Sequence, residues 1–264
     1  MRCSQTRIHS ALPFTAPPLL FVCRLPPIFI ATQPVINTVG YTSKTLEENT
    51  WYLVANNFES VSSGAIDVQN FVSGLTATDD ASTAPVIQYW NGTKLETLYY
   101  LQYLWDPVTE KDVAEGWGNV EFEVVHWTMD PGVACWLKVK SGPQTVTCSG
   151  QVVSLAEKEA SITTAWQLVG SPYPIAVTLN TAAVDCSGLT ATDDASTAPV
   201  IQYWNGTKLE TIYYLQYLWD PVAEKDVAEG WGNVEFETVN KTFEVCEGFW
   251  VKTKSGTGTI KLSR

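Results

Sequence analysis

Apolar and polar residues change places along this chain in short runs, and Gly, Asn, Asp, Ser and Pro separate the runs. That is the pattern of strands and turns rather than of helices. Residues 86–90 (VIQYW) and 93–105 (TKLETLYYLQYLW) flank Asn91-Gly92. Asn-Gly predicts a type I′ hairpin turn there, because both residues tolerate the positive φ it requires. Residues 135–150 (CWLKVKSGPQTVTCSG) predict a second hairpin, turning at Ser141-Gly142-Pro143. Further strands are expected in residues 51–58 (WYLVANNF) and 154–170 (SLAEKEASITTAWQLVG), and a short helix in 65–74 (AIDVQNFVSG).

The long run of the first hairpin is apolar on both faces. Thr97, Tyr99, Leu101, Tyr103 and Trp105 alternate with Leu98, Tyr100, Gln102 and Leu104. A strand of this kind is normally covered on both sides. The expected covers are the core of its own sheet and a sister repeat. The alternative is an exposed aromatic platform, built from Tyr99, Tyr103 and Trp105 here and from Tyr213, Tyr217 and Trp219 in the second copy.

A second copy exists because residues 74–123 recur at 188–237, changed only at Leu98 (Ile212) and Thr109 (Ala223). The flanks have diverged but still correspond, as in WYLVA (51–55) and WQLVG (166–170), or WLKVKSG (136–142) and WVKTKSG (250–256). One repeat therefore covers 36–150 and the other 151–264, each too long for a solenoid unit. Tandem duplication is the plain explanation. The uneven divergence points to recent gene conversion or to an assembly error, and the sequence does not separate them. The predicted fold is all-β: two tandem sandwich- or barrel-like repeats with approximate pseudo-two-fold symmetry, each of about five to seven strands.

Composition narrows the function classes. With 45% hydrophobic and 12% aromatic residues, the chain has ample apolar surface for a core. From residue 36 onward 28 acidic side chains face 13 basic ones, a balance that argues against nucleic acid or anionic lipid as partner. Residues 1–35 differ in kind: Arg2 and Arg7 precede apolar runs that Pro17, Pro18, Arg24, Pro26 and Pro27 interrupt. This stretch reads as a degenerate export signal, a misassigned start or a disordered leader. No run reaches the roughly 20 apolar residues of a membrane-spanning helix.

Cys3 and Cys23 lie in the leader, and the other four cysteines admit three pairings. Cys135 and Cys148 face Phe249 and Leu262 in the second copy, while Cys186 and Cys246 face Val72 and Gly132 in the first. Each pair is present together or absent together. That suggests Cys135–Cys148 and Cys186–Cys246 disulfides in an oxidising compartment, the alternative being four buried free thiols.

Candidate chemistry is sparse. His126 becomes Asn240 in the second copy and has no nucleophile motif beside it, so it is expected to be structural. No zinc spacing or phosphate loop occurs. The repeated acids Asp79, Asp80, Asp106, Glu110, Asp112 and Glu115 lack a calcium-loop pattern and read as solvated loop charge. Asn91 and Asn205 match a glycan-acceptor pattern but are better explained as turns.

Three signatures recur in order in both halves: WYLVANNF/WQLVGSPYP, IQYWNGT, and PGVACWLKV/EGFWVKT. The arrangement resembles a family of duplicated, all-β, secreted or surface bacterial proteins of uncharacterised function, whose mature chains start much as NTVGY (37–41) does. The resemblance implies export and fold, and carries no catalytic residue. The expectation is a secreted or cell-surface, non-enzymatic structural or interaction module without cofactor or metal. The alternative is a carbohydrate-binding or adhesin module that uses the aromatic strand on a surface glycan.

Overall fold

Runs rich in Val, Ile, Tyr, Trp and Thr form the strands, and Gly- or Asx-bearing turns end them. The computed structural model describes residues 38–61 and 64–264, which belong to one compact unit, Asn37–Arg264. The leader lies outside the described residues. The chain is all-β. In the first half it forms β1 (Val39–Leu46), β2 (Trp51–Ala55), β3 (Phe58–Glu59), β4 (Ile66–Asp67), β5 (Val86–Trp90), β6 (Leu95–Asp106), β7 (Lys111–Gly118), β8 (Thr128–Met129), β9 (Ala134–Lys138) and β10 (Gln144–Val152). The second half forms β11 (Glu157–Ile162), β12 (Gln167–Gly170), β13 (Val177–Thr178), β14 (Val184–Asp185), β15 (Val200–Trp204), β16 (Leu209–Asp220), β17 (Lys225–Gly232), β18 (Thr242–Phe243), β19 (Gly248–Lys252) and β20 (Gly258–Ser263).

Two five-stranded antiparallel sheets carry the same order, β2-β9-β5-β6-β7 and β12-β19-β15-β16-β17. Two three-stranded sheets, β1-β10-β3 and β11-β20-β14, complete the main framework, with the small pairs β4-β8 and β13-β18. Each sheet runs from edge to edge without closing. One large apolar cluster gathers around Phe58, Phe71, Ile87, Trp117 and Leu137 of the first half. Its counterpart gathers around Tyr173, Ile201, Trp231, Phe249 and Ile260.

Between the halves, contacts come in matched pairs. Trp90 meets Trp250 edge-on at 5.9 Å, and Trp204 meets Trp136 at 6.0 Å. The Ala55 N–H donates to the Cys246 carbonyl at 3.0 Å, and the corresponding Gly170 N–H donates to the Gly132 carbonyl at 2.9 Å. Val54 pairs with Glu247 as Val133 pairs with Val169. Glycine is required for this approach: a Cβ on Gly170 would collide with Ala55, and one on Gly248 with Ala134.

Several local expectations change. The Asn-Gly turn is a four-residue loop, with Trp90 paired to Leu95 and the Asn91 N–H bonded to the Lys94 carbonyl at 3.1 Å. Only Gly92 has positive φ (96°), so the turn is not type I′. The Asn91 side chain substitutes for the missing second left-handed residue, accepting from the Thr93 and Lys94 N–H groups at 2.9 and 3.0 Å. The second expected hairpin is absent: β9 pairs with β2 and β5, whereas β10 pairs with β1 and β3. Gly142 (φ 64°) therefore turns the chain from one sheet to another. The expected helix shrinks to one 3-10 turn, Val68–Asn70, capped by Asp67.

The disulfide pairs are not formed, and all four cysteines are buried free thiols. Cys135 and Cys148 lie on strands of different sheets rather than across a hairpin. Cys186 and Cys246 belong to the two different core clusters. Cys186 instead accepts the Trp231 indole N–H at 3.3 Å. In the first half Val72 stands in that place, and the buried Trp117 indole N–H has no hydrogen-bond partner.

Both the ring junction and the thiol can be tested by substitution. Trp250→Ala, which removes the ring that meets both Trp90 and Trp166, should lower stability by about 2–4 kcal/mol in urea unfolding; an unchanged midpoint would show that the junction does not depend on the rings. Cys186→Val, which recreates the first half's arrangement, should cost about 1 kcal/mol by stranding the Trp231 N–H, and a neutral result would remove the role assigned to that thiol.

Candidate functional site

The β6–β7 and β16–β17 hairpins carry most of the candidate chemistry. In the first, Asp106 closes the turn: its Oδ1 accepts from the Val108 and Thr109 N–H groups at 2.8 and 3.3 Å, and the Thr109 hydroxyl donates to its Oδ2 at 2.8 Å. In the second, Asp220 accepts from the Val222 and Ala223 N–H groups at 2.9 and 3.0 Å. The Asp-Pro-Val sequence is thus a turn device.

Midway along β6, Tyr103 adopts φ 59°, and Tyr217 matches it on β16 at 59°. A bulky residue in the left-handed region costs on the order of 1–3 kcal/mol. The consequence is visible in packing. Leu101 and Leu104, three apart, enter one cluster with Ala84 and Val124, so strict alternation fails at Tyr103. That cluster belongs wholly to the first half. The second face of β6 is covered by the chain's own loops at 81–84 and 122–124, not by the sister repeat. The Trp105 N–H donates to Phe122 and its carbonyl accepts from Val124, both at 2.8 Å, which fixes the strand beyond the bend.

The expected aromatic platform is consequently divided. Tyr103 is 77% exposed and Trp105 44%; Tyr217 and Trp219 are 75% and 43% exposed. Tyr99 and Tyr213 are half-buried against the inner clusters, and the Lys140 ammonium stands over the Tyr99 ring at 5.5 Å. Exposed Val108 and Val222 lie in the β6–β7 and β16–β17 turns. Asp112 faces Trp105 across the β6–β7 pairing, and Glu123 pairs beside it.

A second constellation was not legible as a site in the sequence. His126 Nδ1 lies 3.0 Å from Asp67 Oδ2, and Nε2 lies 3.5 Å from the buried Asp106 Oδ1. Asp67 also accepts from the Gln69 N–H at 2.9 Å. The hydrogen bond to Asp67 raises the imidazole pKa above its ordinary value, against a smaller opposing effect of burial. Asp106 is held below the usual carboxylate range, first by the Thr109 hydroxyl, while burial opposes. This corrects the reading of Asp106 as solvated loop charge. The cluster exists in one half only, since Thr178, Ala223 and Asn240 stand for Asp67, Thr109 and His126. Chemically it is a charged tie between β4 and the β6–β7 turn, and its hydroxyl donates to Asp106 rather than to the imidazole.

Of the remaining acids, Asp80 and Asp194 also shape backbone. Asp80 accepts from the Ser82 hydroxyl and N–H, both at 2.7 Å, which lowers its pKa, and Asp194 repeats this with Ser196 at 2.8 Å. Glu115 accepts from the Tyr100 hydroxyl at 3.3 Å. Among the described residues, no group of three or more His, Cys, Asp or Glu side chains is arranged to hold a metal ion.

Because the His126 pKa is raised on folding, its stabilising contribution is complete below the unfolded imidazole value of about 6.5 and is lost as pH rises through the folded one. An NMR titration should place the His126 midpoint above that value, and Asp67→Asn should lower it; an ordinary midpoint in the parent chain would dissolve the tie. No protein-family model matches this chain, and a search of curated proteins finds no match.

Proposed function

We propose that the protein is an exported, non-catalytic interaction module built of two repeats packed with approximate pseudo-two-fold symmetry, each presenting one aromatic contact site to a repetitive surface glycan. One observation carries the reading: an exposed Tyr in left-handed backbone, two residues from an exposed Trp, occurs in both copies. Strained backbone persists where something over-determines it. Burial does not reward these rings, so contact with a ligand is the reason for their retention. Flat rings stack on the apolar faces of sugars, and Asp112 and Glu123 beside Trp105 supply acceptors for sugar hydroxyls. Two equal sites suit a polymer, because the second contact becomes intramolecular.

The excess of acids, 28 against 16 Lys and Arg, opposes polyanionic ligands. The non-catalytic part rests on the carboxylates: Asp80, Asp106, Asp194 and Asp220 each accept backbone N–H groups in turns. Export is inferred from the acidic balance and from the resemblance to duplicated secreted proteins. The matched contacts at Trp90/Trp250 and Trp204/Trp136 support the paired packing.

Titration against a panel of neutral polysaccharides should detect binding at two sites per chain. Removing one site by Tyr103→Ala with Trp105→Ala should halve the stoichiometry and weaken polymer binding by about 100-fold through lost avidity. Binding that survives the loss of both sites would overturn the glycan reading. Hydrolysis of any panel member that disappears in Asp220→Asn would overturn the non-catalytic one.

A further inference from the structure

Cys246 stands where the first half has Gly132, and both are left-handed, at φ 63° and 92°. Glycine takes this conformation freely, whereas a residue with a Cβ is strained in it. The second half thus carries a side chain at a position whose backbone favours having none. That side chain does not enter its own half's core. It joins Cys135, Cys148, Leu46 and Val54 in the apolar cluster of the first half, and its Sγ lies 2.8 Å from the Thr42 hydroxyl. Thr42 sits directly opposite Cys148 in the β1–β10 pairing, and Cys148 and Cys246 belong to the same buried apolar cluster.

The matched junction shows the same place without thiols. Gly132, Lys158 and Leu262 there correspond to Cys246, Thr42 and Cys148, and all three line a cavity of about 200 Å³. One junction is open; the other packs the Cys148 and Cys246 side chains into one cluster.

We propose that Cys148 and Cys246 are a redox pair whose disulfide, formed by a small-molecule disulfide oxidant such as oxidised glutathione, staples the second half to the core of the first. The two cysteines differ in the way such a reaction uses. The hydrogen bond from Cys148 holds the Cys246 thiol down to about 7, with help from Thr42 and Lys44 and against burial. Cys148 is pushed up by that same bond and by burial, and Cys135 is pushed up by burial alone. Cys246, carried on a turn and with the Thr42 hydroxyl against its sulfur, is the attacking thiol once it loses its proton. It attacks one sulfur of the glutathione disulfide, giving a mixed disulfide and one glutathione thiolate, which takes up the proton that Cys246 released. Cys148 then loses its proton and attacks the Cys246 sulfur, and the second glutathione leaves as a thiolate that is protonated in turn. Two protein thiols are oxidised, and one glutathione disulfide is reduced to two glutathiones. Closure brings the two sulfurs to about 2.05 Å.

Because both thiols are buried, reaction proceeds through opening of the turn that carries Cys246, closed by the Glu247 N–H to Glu244 carbonyl bond at 2.9 Å. The full chain, equilibrated with oxidised glutathione, alkylated and digested without reduction, should yield a Cys148–Cys246 peptide with Cys135 and Cys186 alkylated. Oxidation should raise the Tm by about 5–10 °C, because the bridge closes a long loop. Cys246→Gly, which restores the residue of the matched junction, should fold and lose that rise entirely. A Cys135–Cys148 or Cys186–Cys246 peptide, or complete alkylation of all four after oxidation, would overturn the proposal.

Discussion

The close approach of small residues between the two halves is the constraint on which the other features rest. Ala55 lies against Gly170 and Ala134 against Gly248, at separations that leave no room for another Cβ. That proximity lets the edge-on rings Trp90/Trp250 and Trp204/Trp136 meet, with Trp51 and Trp166 backing Trp136 and Trp250 at 6.2 and 6.3 Å. Each such ring pair adds about 0.5–1.5 kcal/mol beyond its burial. Lys138 over Trp51 and Lys252 over Trp166, at 5.4 and 4.5 Å, close the outer ends of both ring series. The junction uses β2, β5 and β9 against β12, β15 and β19. This leaves β6–β7 and β16–β17 to be covered by their own loops, and their far ends keep exposed aromatics.

A duplicated frame makes each departure between copies informative. Leu98 and Ile212 are both buried at 3% exposure, and the exchange conserves volume, so the core absorbs it. Thr109 and Ala223 differ in another way. The Thr109 hydroxyl binds Asp106, and the same cluster has gained Asp67 and His126 relative to Thr178 and Asn240. One of the two changes in a fifty-residue block thus falls beside changes outside it, which ties them physically. The thiols obey the same logic. Cys186 satisfies Trp231, whereas Cys148 and Cys246 meet at one junction only. Co-occurrence of cysteines in a copy was therefore a poor guide to their partners, because it could not reveal that Cys246 packs into the other half.

The strand content and the turns at Gly92, Gly142 and Gly206 were readable, since φ-positive glycine and β-branched runs act locally. Failure began where distance entered. Residues 135–150 look like a hairpin, yet their two strands find better partners in separate sheets, a choice set by long-range pairing. His126 looked solitary because Asp67 lies 59 residues away. The aromatic row is divided for a different reason, as nothing in YYLQYLW announces a left-handed tyrosine. Four of the six aromatics expected to form a platform are exposed, and the other two turn inward.

The bend at Tyr103 takes its meaning from Leu104 and Asp106 more than from the tyrosine itself. Were alternation to continue, Leu104 would fall on the face opposite Leu101. The bend returns Leu104 to the Leu101 side, where it is 1% exposed, and leaves Asp106 5% exposed. Burying one leucine is worth about 1.5–3 kcal/mol, comparable to the strain of a left-handed bulky residue. The bend is therefore near neutral as a folding device, and a glycine at the same position would achieve it without strain. Tyrosine in place of glycine, in both copies, adds a ring that is three-quarters exposed and makes no core contact. Folding alone leaves that ring unexplained, and a binding role begins from there.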